Sequence, residues 1–203
     1  MSNHFNTKER ILHAAEDLFA QHGFAGTSLR QVTSRADVNI AAVNYHFGSK
    51  ENLVHEVFKH RMDEMSEKRL SQLSKVLEKD PKDLESILLA FIQPALALTL
   101  DRHGGSFVRV LARAYAEKND GLRNFLSENY GQVLRAFAQA IAHCLPNLSK
   151  EELYWRMDFM AGSLTYAMAD FGLIKRQTGI SEKIHSEKAA QQLIKFAQAG
   201  LKA

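Results

Sequence analysis

The chain has 203 residues, 45% of them hydrophobic and 24% charged, with 11 glycines and 3 prolines, a balance that suits one sizeable core or a small domain joined to a larger one. It excludes collagen-like, low-complexity and disordered classes, and its 26 basic against 23 acidic residues leave a net charge of +3, too mild to mark a nucleic-acid protein unless the charge is gathered on one surface. A single cysteine, Cys144, excludes an intrachain disulfide framework and the usual multi-cysteine zinc sites, so a reducing, cytoplasmic setting is expected.

Apolar residues recur at a period of three to four throughout, and no alternating strand is visible, which predicts an all-α fold. The first helix is predicted over 7–22, capped by Asn6 with Glu9 as a capping box, buried through Ile11, Leu12, Ala15, Leu18 and Phe19, and ended by Gly23. The second starts with Thr27 or Ser28 as cap and carries Leu29, Val32 and Ala36. The third is short, from Asn39 as cap to about His46, and the fourth opens at Ser49 for roughly 28 residues, turning strongly charged towards its end. Asp80-Pro81 reads as a restart, with a capping carboxylate followed by proline at the first helical position. Five more helices are predicted near 81–100, 105–118, 120–144, 149–176 and 185–201, the first of them kinked or broken by Pro94. This gives a head over 1–48, a connecting helix over 49–79 and a helical body over 80–203.

Only two residues, Asp37-Val38, separate the second and third helices, the spacing a helix-turn-helix requires. Ile40, Val43 and Phe47 are predicted to point inward. Ala41, Ala42 and Tyr45 then face outward, flanked by Asn44 and His46, and the face carries no carboxylate that would repel a phosphate. Lys50, in the first turn of the fourth helix, lies beside free backbone amides and suits a phosphate. On periodicity alone, a surface helix of some other bundle is an equal alternative.

The run "GFAGTSLRQVTSRADVNIAAVNYHFGSKENL", Gly23 to Leu53, resembles the TetR family of transcriptional regulators. Gly23-Phe24, Thr27-Ser28, Arg30, Val32, Ala36, Val38, Tyr45-His46-Phe47, Lys50 and Leu53 carry the likeness. Two positions depart from it: Asp37 stands where a turn glycine is usual, and Asn44 replaces an aromatic residue before Tyr45. The resemblance implies DNA contacts from Thr27, Ser28, Arg30, Asn39, Ala41, Ala42, Asn44, Tyr45, His46 and Lys50. It places Thr27, Ser28 and Lys50 on phosphate and Arg30 at a base edge.

In the body, the helix predicted over 149–176 has two apolar stripes. Leu153, Met157, Met160, Leu164, Met168 and Phe171 form one; Trp155, Phe159, Gly162 and Tyr166 form the other. A helix apolar nearly all round needs cover on both sides, from its own chain and a partner, or from its own chain alone as a central helix. The last helix has a narrower stripe of Ala190, Leu193, Ile194, Ala197 and Leu201. The resemblance implies a homodimer through these two helices, with Trp155, Phe159, Gly162, Tyr166, Leu193 and Ala197 at the interface, and a palindromic double-stranded operator read by two heads.

Phe91, Phe107, Leu111, Phe125, Trp155, Phe159 and Met160 are candidates for either plain core or an effector cavity. The segments "GGSFVRVLARAY", "LRNFLSENYGQVLRAF" and "ELYWRMDFMAG" resemble PsrA-type regulators. That likeness implies a long-chain fatty acid or its acyl-CoA as a small apolar effector, and release from DNA when the ligand swings the fourth helix. Arg156 is the preferred carboxylate anchor, ahead of Arg109 and Arg113, with ordinary salt bridges as the plainer role for all three.

No enzyme constellation, metal site or cofactor motif is expected. Gly-x-Ser-x-Gly is absent, and Cys144 reads as a small core residue. Glu56, His60 and Glu64 read as a solvated helix face. The start, MSNHFNTKER, lacks a secretory signal, and the most apolar run, 87–100, falls short of the ~20 residues a membrane span needs, so a soluble chain with no membrane partner is expected. A helical lipid-binding protein that does not bind DNA, and a regulator of another apolar effector such as an efflux type, are the alternatives.

Overall fold

The computed structural model describes residues 6–100, 104–117, 119–169 and 181–203, apart from the side chains of Tyr115, Ala116 and Glu182. Among these the fold is all-α: α1 (Thr7–His22), α2 (Leu29–Ala36), α3 (Ile40–Phe47), α4 (Lys50–Lys79), α5 (Leu84–Leu98), α6 (Gly104–Ala116), α7 (Asp120–Cys144), α8 (Lys150–Ala169) and α9 (Glu182–Lys202). The part of the predicted 149–176 helix beyond Ala169, with Phe171, lies outside the described residues. No described helix is long and apolar enough to cross a membrane.

The chain divides into two compact units, Met1–Asp63 with Ser106–Phe125, and Glu64–Gly105 with Leu126–Ala203. The line falls inside α4, and most of α6 joins the N-terminal residues through polar contacts that no local pattern announces.

In the first unit, α1 packs on α2 and α3. Its Asn6–Glu9 capping box forms in both directions at 2.9 Å, and Ile11, Ala15 and Phe19 are fully buried. Glu16 is buried beside them, and Arg61 of α4 forks onto its carboxylate, Nε at 3.1 Å and Nη2 at 3.4 Å. Phe58 and Phe107 meet edge to face at 5.6 Å, and His55 stacks flat on Phe125 at 4.2 Å.

In the second unit, α5 packs against α9 and α8. The predicted restart at Asp80-Pro81 falls three residues early. Asp80 instead closes a turn by accepting from the Lys82 amide at 2.9 Å, and Asp83 caps α5 by accepting from the amide and the hydroxyl of Ser86. Those bonds, the hydroxyl's first, hold the Asp83 carboxyl below its ordinary value. Pro94 sits inside α5 without ending it. Its missing N–H removes the bond that the Ala90 carbonyl would accept; one residue on, Arg69 Nε donates to the Phe91 carbonyl at 2.8 Å while its guanidinium lies 3.9 Å over the Phe91 ring. Half-buried Cys144 has its thiol pushed up by burial first, then by Asp80 and Asp83, which disfavours the nucleophilic thiolate.

Candidate nucleic-acid interface

The site is built on α2, a two-residue turn and α3. Ser28 caps α2 in a capping box with Gln31. Thr27 does not share that position. It is buried, and its hydroxyl donates to the carbonyls of Gly23 at 2.8 Å and Leu18 at 3.2 Å. The implied phosphate contact by Thr27 is corrected accordingly: its hydroxyl closes the α1–α2 turn and is sealed from solvent.

Asp37 ends α2 in the left-handed region, φ 52° and ψ 54°, a conformation aspartate tolerates better than most residues. The turn is held from outside. Arg10 of α1 donates through Nη2 to the carbonyls of Ala36 at 2.5 Å and Asp37 at 2.6 Å, and lies 3.3 Å from the Asp37 carboxylate. This guanidinium fixes the angle between the two helices, yet sequence reasoning passed over it, because its partners lie 26 and 27 positions away.

Asn39 caps α3 by accepting from the Ala42 amide at 2.8 Å. Val43 and Phe47 are buried as predicted, but Ile40, in the first turn of α3, is 46% exposed rather than turned inward. Ala41 and Asn44 are exposed, Ala42 and His46 half-buried, and Tyr45 is 86% exposed. Ser49 caps α4 by accepting from the Asn52 amide at 3.0 Å, and half-buried Lys50 follows it. From Val38 through Lys50 there is no carboxylate. Arg30 is exposed on α2 and lines an open groove with Leu18, Gln31, Ser34 and Arg35. A small-faced helix with an amide, a phenol and an imidazole, flanked by cationic side chains, can lie against a duplex without repelling it.

The two stripes of α8 separate cleanly. Leu153, Met157, Met160, Leu164 and Met168 are buried, whereas Trp155 is 57%, Phe159 64% and Tyr166 49% exposed. A side chain added at Gly162 would meet nothing within 4 Å. Leu193 and Ala197 of α9 are buried within their own chain. The apolar side chains α9 does expose are Ile184 and Phe196, at 47% and 62%.

Phe107, Leu111 and Phe125 belong to the first unit; Phe91, Trp155, Arg156, Phe159 and Met160 belong to the second. Phe91 is core against Phe137 at 5.1 Å, and Met160 is buried on the face of α8 away from Trp155 and Phe159. Arg156 donates to the carbonyls of Gly200 and Leu201 at 3.1 and 2.9 Å, closing the end of α9, with Glu152 at 3.6 Å. It satisfies orphan carbonyls there rather than awaiting a ligand. Arg109 is exposed beside Ser106, and Arg113 is engaged with the end of α1. Glu56 and Glu64 pair with Lys8 and Lys68, and among the described residues no group of three metal-ligating side chains forms.

Residues 11–57 match the bacterial regulatory proteins of the tetR family, and residues 89–200 match the tetracyclin repressor-like C-terminal domain. An HTH-type transcriptional repressor of Mycobacterium tuberculosis is 38% identical over 105 residues, covering 51% of this chain and 44% of the relative. The matched stretch thus spans less than half of that relative's length. Among solved structures, AibR in complex with isovaleryl coenzyme A and operator DNA aligns with a TM-score of 0.68 at 18% identity, over 94% of this chain and 97% of that one. The fatty acid degradation regulator FadR of Bacillus halodurans aligns at 0.62 and 17% identity, over 95% and 97%. At those identities the likeness is one of fold. The family matches cover both the helix-turn-helix and more than half of the chain beyond it, and the chain belongs to the tetR family of bacterial regulatory proteins.

Proposed function

We propose that the protein is a transcriptional repressor that binds a palindromic operator as a homodimer and is released by a long-chain fatty acid or acyl-CoA. The observation that carries the DNA-binding part is α3 itself: capped by Asn39, free of carboxylates, with Tyr45 86% exposed. A buried phenol there would have spoken for a helix packed in a bundle. The exposed Trp155, Phe159 and Tyr166 of α8 support the dimer, because a contiguous apolar strip on a water-facing helix marks an interaction surface. The operator-bound, acyl-CoA-bound AibR and the FadR regulator, both of this fold, support the acyl effector. The effector rests on those neighbours and on the sequence likeness. Release is a population shift, which a ligand can drive only by binding the DNA-free state better.

A gel-shift titration of the chain's own upstream DNA, with and without oleoyl-CoA, tests the whole reading. A shift reversed by the thioester supports it. A shift indifferent to acyl ligands keeps the repressor and discards the effector, and no shift on any palindrome favours a lipid-binding protein.

Within the DNA reading, Arg30 and Lys50 have different jobs. Arg30→Ala is expected to lower operator affinity by about tenfold and relax sequence preference, since a guanidinium at a base edge discriminates by ~1–3 kcal/mol. Lys50→Ala is expected to weaken operator and random duplex alike and to lower the slope of log affinity against log salt by about one. Fluorescence anisotropy at several salt concentrations separates the two, and equal loss on both duplexes for both variants contradicts the assignment.

A further inference from the structure

Three polar contacts join α6 to α1 and the α1–α2 turn, all within the first unit. Ser106 donates to the Asp17 carboxylate at 2.9 Å, and the other Asp17 oxygen lies 3.6 Å from Arg35 of α2. Arg113 donates through Nε to the Ala20 carbonyl at 3.0 Å and through Nη2 to the Gln21 carbonyl at 2.9 Å. Glu117, directly after α6, takes the Phe24 amide between its two oxygens at 3.2 and 3.3 Å, across 93 positions of chain.

Each contact meets a need that the helix-turn-helix leaves open. The last carbonyls of α1 have no intrahelical donor, and a cation there also complements the helix dipole. Beyond Gly23, at φ 75°, the Phe24 N–H points away from α1, and a carboxylate is the stronger kind of acceptor for it. A Cβ on Gly23 would strike the Glu117 carboxylate, so the glycine serves the approach as well as the turn. Phe24 is buried between Phe19 and Phe58, and Thr27 ties the same turn to Leu18 and Gly23. Ser28 and Arg30 follow within six residues of Phe24, so the direction in which α2 leaves the turn is set where Glu117 and Arg113 grip it.

We infer that Glu117 and Arg113 are positioning residues for DNA recognition, fixing α2 and, through the Arg10-braced turn, α3 from α6 and the residue that follows it. The inference rests on the DNA-binding reading above and names what aligns that same surface.

The test uses the full chain, with Glu117→Ala and Glu117→Gln measured on the upstream operator and on a random duplex, alongside amide hydrogen exchange. In Glu117→Ala, operator affinity is expected to fall about tenfold, the scale of one lost charge-assisted bond. Affinity for random duplex and the salt slope stay unchanged, because no phosphate contact is removed. Phe24 exchanges faster while the middle of α1 keeps its protection. Glu117→Gln, whose amide oxygen still accepts from Phe24, retains most of the operator preference. An unchanged operator-to-random ratio in Glu117→Ala overturns the inference. So does a parallel fall on both duplexes with protection lost throughout α1, which marks a merely structural role. If the unaltered chain prefers no operator, the DNA-binding reading falls and this one with it, whereas the first two outcomes leave that reading standing.

Discussion

In the proposed homodimer, Phe159→Asp is expected to separate the two subunits and to reduce operator affinity by at least ~100-fold, the lower end of what joining two weak half-site contacts contributes. The argument starts from exposure. Phe159 is 64% exposed and its ring lies 6.0 Å from that of Trp155, so within its own chain it contributes little to the core. An aspartate at such a position in a monomer would be close to neutral. In a dimer it would put a charge into an apolar contact, where each copy carries the lesion and symmetry doubles it. Sedimentation or light scattering reads the oligomer, and anisotropy reads the DNA. Unchanged helicity and thermal midpoint with a halved mass is the expected pattern. An unchanged mass and an unchanged operator affinity would show that the strip is only a solvated face. Tyr166→Asp, two turns along on the same side, is expected to repeat the effect more weakly.

That strip also shows what could be read from the sequence and what could not. The two stripes of α8 were legible because both repeat at helical spacing over twenty residues, and the buried and exposed sets fell as the pattern divided them. In α9 the stripe of Ala190, Leu193, Ile194, Ala197 and Leu201 was equally legible and is equally buried. Periodicity reports that a face is covered, not by what, and Leu193 and Ala197 are already covered within their own chain. Caps were legible where the capping side chain competes with nothing nearby, as at Asn6 and Asn39. Where two candidates adjoined, the choice stayed open: of Thr27 and Ser28 the cap is Ser28, because the threonine hydroxyl finds two backbone carbonyls across the turn. The cap of α5 was misplaced, since Asp80 accepts from the Lys82 amide and Asp83 takes the helix start. Arg10, Arg69, Arg113 and Arg156 were hardest to assign, since each donates to main-chain carbonyls far along the chain. Nothing in a residue's own neighbourhood signals such a partner.

Glu16 is the sharpest instance, and it gives the largest stability effect. By composition a glutamate belongs on the wet side of α1, yet Glu16 is 2% exposed among Ile11, Leu12, Ala15 and Phe19. Its carboxylate is held by the fork of Arg61, whose side chain is only 11% exposed. Arg61→Met takes the cation away from a carboxylate that is shielded from water, and is expected to destabilise the protein by ~3–5 kcal/mol. For a chain of this size that corresponds to a fall of roughly 10 °C in thermal midpoint, readable by circular dichroism. The double variant Glu16→Leu with Arg61→Met removes both charges and fills the space with apolar atoms. It is expected to recover most or all of the midpoint, because the pair's mutual attraction does little more than offset its own desolvation. Additive losses in the double variant would instead show that the two side chains act separately. The contrast between single and double variants distinguishes a pair that contributes net stability from one that mainly specifies how α4 lies on α1, and the burial of both groups favours the second.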